Sequence, residues 1–287
     1  MRARIYSIAI GEYGFPKDKI YRPLIANAGR FKRNAFPAYY LRDDTGDNIT
    51  ERNDLYSEFT ATYWMWKNSN ADIIGLNHYR RYFLRGGWLS YLFCMINPAK
   101  SYERFILRKK DLCRLWRRGY NCILPKKQWR VERTLREEYT IHHTSELLDA
   151  VERIILKDKT EYAGTFDRVM RQRENYQKCL CVLNREMFNS YVKWMFDIFR
   201  SLEDEGFSGN QREFAYLGER LMNVWFEHNK ENGNLKVKEL FFVNLEFSLK
   251  DYIRNHTELY LPIFLCYLFR VLKKAKLWKT DFWVKPE

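Results

Sequence analysis

The sequence predicts an α/β fold, a single domain with a mostly parallel central sheet flanked by helices. The chain has 287 residues, a length that suits one sizeable domain, and 46% of them are hydrophobic, which is ample for a core. Several short apolar segments lack alternation, as expected of strands that are buried on both faces. Between them lie segments with helical periodicity, and strands that alternate with helices indicate an α/β fold.

Four segments are predicted to form strands. Residues 4–10 come first, followed by a loop over residues 11–19 that contains two glycines and a proline. The other three predicted strands are short apolar runs at residues 71–76, 120–124 and 178–183. The first of these three ends in a run of polar side chains, which makes its carboxyl end a candidate site.

Three segments are predicted to form helices, at residues 50–68, 186–202 and 211–228. In the first, Leu55, Phe59, Tyr63 and Trp66 recur at helical spacing after Thr50, a suitable N-cap. The second and third carry comparable apolar stripes, which predicts that each packs one face on the sheet.

The chain is strongly basic, with 50 Lys and Arg against 36 Asp and Glu and a formal charge of +14. The basic residues cluster at 108–118, 126–136 and 270–279. This pattern favours anionic partners such as nucleic acid, anionic lipid or phosphate-bearing small molecules, with a basic solvated surface as the alternative. The six cysteines form no CxxC pair, which argues against a zinc ribbon or thioredoxin motif and favours buried free thiols in a reducing compartment.

The last part of the chain differs from the rest, so we expect a domain over residues 1–245 and a C-terminal extension over residues 246–287. Residues 259–269 are almost all apolar but too few to cross a bilayer, which takes about 20 helical residues. Lysines and Trp278 follow them, which is typical of an amphipathic helix lying on an anionic membrane surface. A helix docked on the core is the alternative, and residues 87–100 are a second candidate for membrane contact.

The N-terminus has no convincing signal peptide. Together with the basic extension, this predicts a cytoplasmic protein that is peripheral at the inner face of the cell membrane.

The first candidate site is an acidic loop just before the helix predicted at residue 50. It contains three carboxylates within five residues, followed by an amide: Asp43, Asp44, Asp47 and Asn48. Such a group can hold a divalent metal that neutralises a diphosphate, or accept hydrogen bonds from ribose hydroxyls. The alternative is a turn and capping sequence, since Asp, Asn and Gly all favour turns.

The second candidate follows the predicted strand 71–76, at the end where open α/β sheets bind ligands. Its consecutive polar or amphipathic residues are Asn77, His78, Tyr79, Arg80 and Arg81. The two arginines can grip phosphate oxygens with paired hydrogen bonds, and His78 can carry a proton, bind a metal or donate to a phosphate. Alternatively, the arginines pair with carboxylates such as Glu58.

The third candidate is the polar stripe of the helix predicted at residues 211–228. A helical wheel places Arg212, Tyr216, Glu219 and Asn223 together, opposite the apolar stripe. Such a stripe is either the solvated face of an amphipathic helix or the wall of a cleft. In the second case Glu219 is a candidate general base, with Arg220 alongside it.

Several long, ungapped segments resemble one bacterial family, the domain-of-unknown-function 4422 family, which is associated with capsular and exopolysaccharide biosynthesis and includes galactofuranosyltransferases. The main matches are residues 43–48, 56–68 and 74–83. Further matches are residues 123–126, Tyr139 with His143, Tyr191 with residues 194–196, and Tyr216 with residues 219–221. Together they span residues 4–228. The chain departs from the family in having Cys179 where an Asn is usual and Asn77 where a Cys is common.

The resemblance implies a glycosyltransferase of the A type, acting on a nucleoside-diphosphate sugar. A UDP-linked donor and galactofuranose fit the family, and so does a glycan acceptor, lipid-linked or growing, in capsule, exopolysaccharide or O-antigen biosynthesis. The donor diphosphate is then expected near residues 77–81, with Asp43, Asp44 and Asn48 at the nucleoside or a metal.

The remaining site residues follow from the same resemblance. Glu219 is the expected catalytic base, His78 is a second catalytic candidate, and the expected acceptor or diphosphate contacts are His143, Arg212, Tyr216 and Arg220. No Asp-x-Asp follows the central strand. A role for Mg²⁺ or Mn²⁺ therefore stays open, because arginines can neutralise the leaving diphosphate instead.

Three other functions are compatible with the composition. A sugar-phosphate transferase or phosphotransferase using His78 would release a nucleoside monophosphate. A nucleic-acid-binding protein fits the charge, but the chain has no recognisable module and its acidic loop would repel a phosphate backbone. The third is an inactive scaffold of a polysaccharide assembly complex. The acceptor, the linkage and the oligomeric state are left open by the sequence.

Overall fold

The computed structural model describes residues 1–129, 133–207 and 212–248. The strands are β1 (Ala3–Ala9), β2 (Tyr21–Ile25), β3 (Leu41–Arg42), β4 (Ile73–His78), β5 (Arg81–Phe83), β6 (Cys122–Pro125), β7 (Gln128–Trp129), β8 (Glu174–Asn175), β9 (Cys181–Asn184), β10 (Val237–Leu240) and β11 (Phe242–Asn244). The helices are α1 (Asn53–Tyr56), α2 (Phe59–Asn68), α3 (Trp88–Ile96), α4 (Pro98–Phe105), α5 (Lys109–Arg117), α6 (Leu135–His142), α7 (Ser145–Asp158), α8 (Ala163–Arg171), α9 (Arg185–Asp204) and α10 (Glu213–Glu231).

The central sheet has the strand order β10-β6-β9-β4-β1-β2-β3. Strands β1, β2, β3 and β4 are parallel to one another, and β6 is parallel to β10, whereas β9 runs antiparallel to both β4 and β6. A hairpin from β4 into β5 continues into an antiparallel pairing of β5 with β11. The predicted α/β fold with a mostly parallel central sheet is therefore confirmed.

Two hydrophobic clusters lie on opposite faces of this sheet. Neighbouring strand residues alternate between them: Ile73 belongs to one cluster and Ile74 to the other, as the period of a strand requires. The larger cluster contains buried side chains of α2 and α6–α10, and the smaller one contains those of α3, α5, β5 and β11. The fold thus has three layers, which explains why its central strands are apolar on both faces.

Two predicted elements differ from the structure because residues take the left-handed backbone conformation. The helix predicted at residues 50–68 is a 3-10 turn, Thr50–Arg52, followed by α1 and α2, and it is interrupted at Ser57, whose φ is +48°. The strand predicted from residue 178 begins only at Cys181, because Lys178 and Cys179 have φ values of +68° and +51°. Both interruptions lie beside the candidate site.

Other expectations concern the membrane and the cysteines. None of the helices within the described residues is both long and apolar enough to cross a bilayer. The predicted extension lies outside the described residues from position 249 on, so its membrane role stays a prediction.

Every cysteine in the described part of the chain is free, and all of these except Cys113 are buried, as expected.

Candidate active site

The parallel strands bring several predicted site residues to one edge of the sheet. The carboxyl ends of β3 and β4 lie at this edge. Asp43 follows β3, and Asn77 and His78 are the last residues of β4. Because β9 is antiparallel, it begins at the same edge, where Lys178 precedes it. The edge therefore collects carboxylate, amide, imidazole and ammonium groups from three separate parts of the chain.

Asp43 is fully buried and serves as a structural acceptor. Its carboxylate accepts hydrogen bonds from the backbone N–H groups of Asn27 (3.0 Å) and Ala28 (2.9 Å). It also accepts from the hydroxyls of Thr50 (2.9 Å) and Thr60 (2.7 Å). Each carboxylate oxygen thus has two donors, which leaves Asp43 no free acceptor for a donor nucleotide or a metal.

The neighbouring residues of the acidic loop are also paired within the protein. The guanidinium of Arg42 donates to both oxygens of Asp44, at 3.0 and 2.9 Å, and holds the pKa of Asp44 below its ordinary value. The amide of Asn48 donates to the carbonyl of Gly46 and accepts from the N–H of Thr50. The turn and capping interpretation of the loop describes these contacts better than the ligand-binding one.

Asn77 and His78, the last residues of β4, have polar atoms without hydrogen-bond partners, in contrast to the acidic loop. The side chain of Asn77 is 2% exposed, and neither its amide nitrogen nor its amide oxygen has a hydrogen-bond partner. The Nδ1 atom of His78 is likewise buried and unpaired. Burial, with the charges of Arg81, Arg80 and Lys178, lowers the pKa of His78 to about 3, so this imidazole is neutral at pH 7.

The next two residues are held by neighbours. The ring of Tyr79 stacks on that of Tyr13, with 3.8 Å between ring centroids. Arg80 forms an ion pair with Glu246 at 2.5 Å. Around Tyr79 lies a group of half-buried aromatic side chains next to the ends of β1 and β2: Tyr13, Phe15, Phe31 and Phe36. These aromatic residues were not predicted as part of the site.

Glu58, at the start of α2, is a candidate functional residue that sequence reasoning mentioned only as an ion-pair partner. Burial and the nearby charge of Glu219 raise its pKa to about 7, against the opposing effects of Arg81, Lys178 and Arg212. Its side chain is only half-buried, so it lies deep among protein atoms yet faces open space. Glu58 is the one charged residue between positions 55 and 66. This isolation in an apolar segment was the sequence feature that could have marked it as a functional residue.

A close contact between helices brings Glu219 towards Glu58. Gly218 packs against the ring of Phe59, and a Cβ atom at position 218 would lie 2.3 Å from that ring. A side chain at this position would separate α10 from α2. The absence of a side chain at residue 218 therefore places the two neighbouring carboxylates within electrostatic reach of each other.

By the cleft we mean the region between the carboxyl edge of the sheet, α2 and the first half of α10. At the start of α10, rings contact the end of α6. Tyr216 stacks on His143 at 4.3 Å between centroids, and Tyr139 lies 4.9 Å from the same imidazole. Burial and the charge of Arg220 lower the pKa of His143 to about 4. The structure thus brings the uncharged imidazole of His143 and the ring of Tyr216 together on the wall of the cleft.

One prediction for the polar stripe of α10, that of Asn223, needs correction, and the nearby Arg220 is buried as well. Arg220 is buried, with its guanidinium 3.4 Å from Glu219 and 5.5 Å above the ring of Tyr139. Asn223 is also buried, and its amide accepts from the N–H of Tyr176 (2.7 Å) and donates to the same residue's carbonyl (2.9 Å). Asn223 therefore braces the segment before β9, and its placement on a polar stripe was wrong because this helix is buried on nearly every side.

The backbone around the cleft is strained. Within the described part of the chain, the non-glycine residues with left-handed φ are Asn27, Ser57, Lys178, Cys179 and Arg212. Lys178 and Arg212 act electrostatically on Glu58, Cys179 adjoins Lys178, and Ser57 adjoins Glu58 itself. Left-handed non-glycine residues cost energy and concentrate at functional sites, where the surrounding structure holds them in place.

The described residues do not offer an evident metal site. No three His, Cys, Asp or Glu side chains within residues 1–129, 133–207 and 212–248 are grouped so that they would hold an ion. The cationic groups at the cleft are Arg81, Lys178 and Arg212. These side chains can supply positive charge to an anionic ligand.

Comparison with known proteins shows the family of this chain. The sequence profile described as domain of unknown function (DUF4422) matches residues 4–230. The apo structure of the bifunctional glycosyltransferase WbbM is similar to this chain, with a TM-score of 0.74 and 25% sequence identity. The similarity covers 85% of this chain and 45% of that one, so this chain spans less than half of the WbbM structure. No curated protein matches the sequence.

Proposed function

Since the chain belongs to the DUF4422 family, we propose that it is a glycosyltransferase that moves a sugar from a nucleoside-diphosphate donor to a glycan hydroxyl. One observation carries the proposal. The unpaired Nδ1 atom of His78 lies at the carboxyl edge of the sheet, and the charges of Arg81 and Lys178 act both on His78 and on Glu58, a carboxyl group whose pKa is raised to about 7. The similarity to a bifunctional glycosyltransferase supports the choice of reaction.

The donor diphosphate is assigned to the cationic part of the cleft. Arg81 has a buried Nε atom without a partner and starts β5 opposite His78. Charge-assisted hydrogen bonds from this guanidinium, together with the ammonium of Lys178, would stabilise the negative charge that grows on the leaving diphosphate. Neutral His78 and the amide of Asn77 supply further hydrogen bonds. No step is assigned to a metal, because the described residues contain no suitable ligand cluster.

Glu58 is our candidate for the general base. In the reaction the acceptor oxygen bonds to the anomeric carbon, the bond from that carbon to the diphosphate oxygen breaks, and the acceptor proton passes to the base. A base works best when its pKa lies near the working pH, and the pKa of Glu58 is about 7. Glu219, the base expected from the sequence, raises that pKa by its charge and stays the second candidate.

The finer assignments rest on the family resemblance and on aromatic contacts. The half-buried rings of Tyr13 and Tyr79 offer a stacking surface for a base next to the diphosphate groups. We propose a UDP-linked donor with galactofuranose as the transferred sugar. The acceptor we propose is a lipid-linked or growing glycan of a capsule, exopolysaccharide or O-antigen.

The domain and location proposals rest on composition. Residues 1–245 would form the catalytic domain, and residues 246–287 would attach it to an anionic membrane at the inner face of the cell membrane. The support is the apolar run at residues 259–269 with its following lysines. A lipid-linked acceptor would be found at such a surface.

The proposal is tested by donor binding and product release. UDP should bind the purified protein in calorimetry, and Arg81→Ala should weaken binding about 10- to 100-fold, the effect of one lost charge-assisted contact. Arg153→Ala is the matched control, because Arg153 pairs with Glu205 on the surface of other helices. With a UDP-sugar and a glycan acceptor, UDP should be released. Release of UMP, or equal UDP affinity of both variants, would contradict the assignment.

A further inference from the structure

The helix α3 presents an apolar face that nothing in the described residues covers. Its sequence, WLSYLFCMI, has no charged residue. Cys94 and Met95 are buried in the smaller core, and Tyr91 stacks on Phe241 at 5.0 Å. On the other side, Leu89, Phe93 and Ile96 are 66%, 61% and 64% exposed, and Trp88 is 42% exposed.

These exposed side chains form one continuous surface. Leu89, Phe93 and Ile96 are spaced by four and three residues, so they line a single face of the helix. The outward face of a helix in a soluble protein normally carries polar and charged side chains. A contiguous apolar patch in that place marks an interaction surface.

Basic side chains surround this face. Residues 85–118 contain nine Arg and Lys against two acidic residues, Glu103 and Asp111. Both carboxylates are engaged by the protein: Glu103 accepts from the N–H of Lys17, and Asp111 accepts from the N–H of Arg108 at the start of α5. Many of the basic side chains are exposed: Arg85, Lys100, Arg104, Lys109, Lys110, Arg114, Arg117 and Arg118.

The helix α4, which carries Lys100 and Arg104, is fixed relative to α3. The hydroxyl of Ser101 in α4 donates to the carbonyl of Cys94 in α3, at 2.9 Å. The guanidinium of Arg85 donates to the carbonyl of Arg104, at 3.0 Å. The apolar face of α3, Arg85 and the basic residues of α4 therefore belong to one preformed unit, and α5 follows α4 in the chain.

We propose that the exposed face of α3, with the basic residues of α4 and α5, docks the protein onto an anionic lipid bilayer. Apolar side chains entering the acyl boundary, with cations beside anionic headgroups, are the features by which interfacial helices bind membranes. Leu89 and Ile96 have no ring on which a nucleic-acid base would stack. A second copy of this chain would meet its own positive charge across the contact.

The connection to the cleft is short. β5 begins at Arg81 and α3 begins at Trp88. Seven residues span at most about 25 Å even when fully extended. The docked helix would therefore hold the candidate active site close to a membrane-bound acceptor. The inference rests on the proposed membrane location but not on the transfer reaction.

The test measures sedimentation of the full chain with vesicles of phosphatidylcholine, with and without phosphatidylglycerol. We expect binding only to the mixed vesicles, weakened by added salt. Leu89→Glu combined with Phe93→Glu should lower the vesicle affinity at least about tenfold. Ile141→Glu combined with Leu156→Glu is the matched control, because these side chains are also exposed on helices, α6 and α7, and should leave affinity unchanged.

Several outcomes would overturn the proposal. One is an unchanged vesicle affinity of the α3 variant. If deleting the C-terminal tail, residues 249–287, abolishes binding as well, the tail is the sole anchor. A large fall in melting temperature, or a change of oligomeric state in the α3 variant, would mean that the tail or a second copy covers the face. UDP binding is measured on the same samples. Vesicle binding without UDP binding would leave the docking surface standing and count against the proposed transferase.

Discussion

Two polar clusters lie at the same edge of the sheet and differ in how their atoms are satisfied. In the acidic loop, Asp43 is buried with all its acceptor positions filled by protein donors. At the end of β4, Asn77 is as deeply buried, yet both polar atoms of its amide lack a partner. Burying an unpaired polar group costs about 1–3 kcal/mol, whereas a paired one costs little.

This difference separates a structural cluster from the cluster that we propose binds the donor. The Asp43 contacts join the segment after β2 to Thr60 in α2, and so they hold the helix at whose start Glu58 lies. The amide of Asn77 and the Nδ1 atom of His78 make no such contacts, and we propose that they bind the donor. Removing Asp43 should therefore damage the fold, and removing groups of the cleft should damage function.

The largest effect is expected for Glu58→Gln, which keeps the shape of the side chain and removes its basicity. The transfer rate should fall about 10²- to 10⁴-fold, the usual contribution of a general base. The rate of the natural protein should rise with pH through a midpoint near 7, where Glu58 loses its proton. Steady-state kinetics would measure both. Glu186→Gln, an exposed control, should leave the rate unchanged.

The same variant has a distinct stability signature. Glu58 titrates at about 7 in the folded protein and near its ordinary value of 4.5 in the unfolded chain. The natural protein should therefore lose stability relative to Glu58→Gln as the pH rises from about 4.5 to about 7. A stability difference that does not change with pH would mean that Glu58 is an ordinary surface carboxylate.

The next largest effect is expected for Asp43→Asn, on stability. The new amide nitrogen would face donors, and the charge that strengthens the remaining hydrogen bonds is lost. We expect a decrease of about 2–4 kcal/mol in the free energy of unfolding, measured with urea. Asp47→Asn in the same loop is the control, because Asp47 is exposed, and should change stability by less than about 0.5 kcal/mol. Equal effects would remove the distinction between the two clusters.

Asn77→Leu should lower ligand affinity and leave stability almost unchanged, the reverse of the result for Asp43→Asn. The variant removes two unpaired buried atoms and fills similar space, so stability should stay within about 1 kcal/mol of the natural protein or rise. UDP affinity should fall about tenfold through the lost hydrogen bonds. Calorimetry and urea unfolding on the same preparation would check this. A clear loss of stability with unchanged affinity would assign Asn77 a structural role.

The smallest effect is expected for Glu219→Gln, and it separates the two carboxylates. If the only role of Glu219 is to raise the pKa of Glu58, removing the negative charge of Glu219 lowers that pKa. The midpoint of the pH–rate profile then moves below about 7, while the rate at high pH stays similar. If Glu219 is itself the base, the rate falls about 100-fold or more at every pH.

The sequence predicted β1, β4, β6 and β9 because buried apolar strands are local signals, and it did not predict the other strands of the central sheet, β2, β3, β5, β10 and β11. It did not predict the break at Ser57, because serine seldom takes a left-handed φ and the apolar spacing continues from Leu55 through Phe59. Glu58 was missed as a functional residue for this reason, since an unbroken helix gives it no special position.

The helix α10 shows a second limit of sequence reasoning. A helical wheel assumes one buried stripe, but α10 is covered by several elements, and Asn223 and Arg220 are buried with specific partners. Likewise, nothing local in residues 43–48 reveals that Asp43 meets the hydroxyl of Thr60 from another element. Contacts between distant segments decided which polar residues are free to bind.

The position of β10 and β11 has a consequence for where the chain can be shortened. The family match ends at residue 230, yet β10 (Val237–Leu240) covers the outer edge of β6 and β11 (Phe242–Asn244) covers β5. A chain ended at residue 230 would turn β6, whose four residues are all buried, into an exposed apolar edge strand. Such an edge pairs with other chains, so that shortened protein would aggregate, and a boundary after Asn244 avoids this.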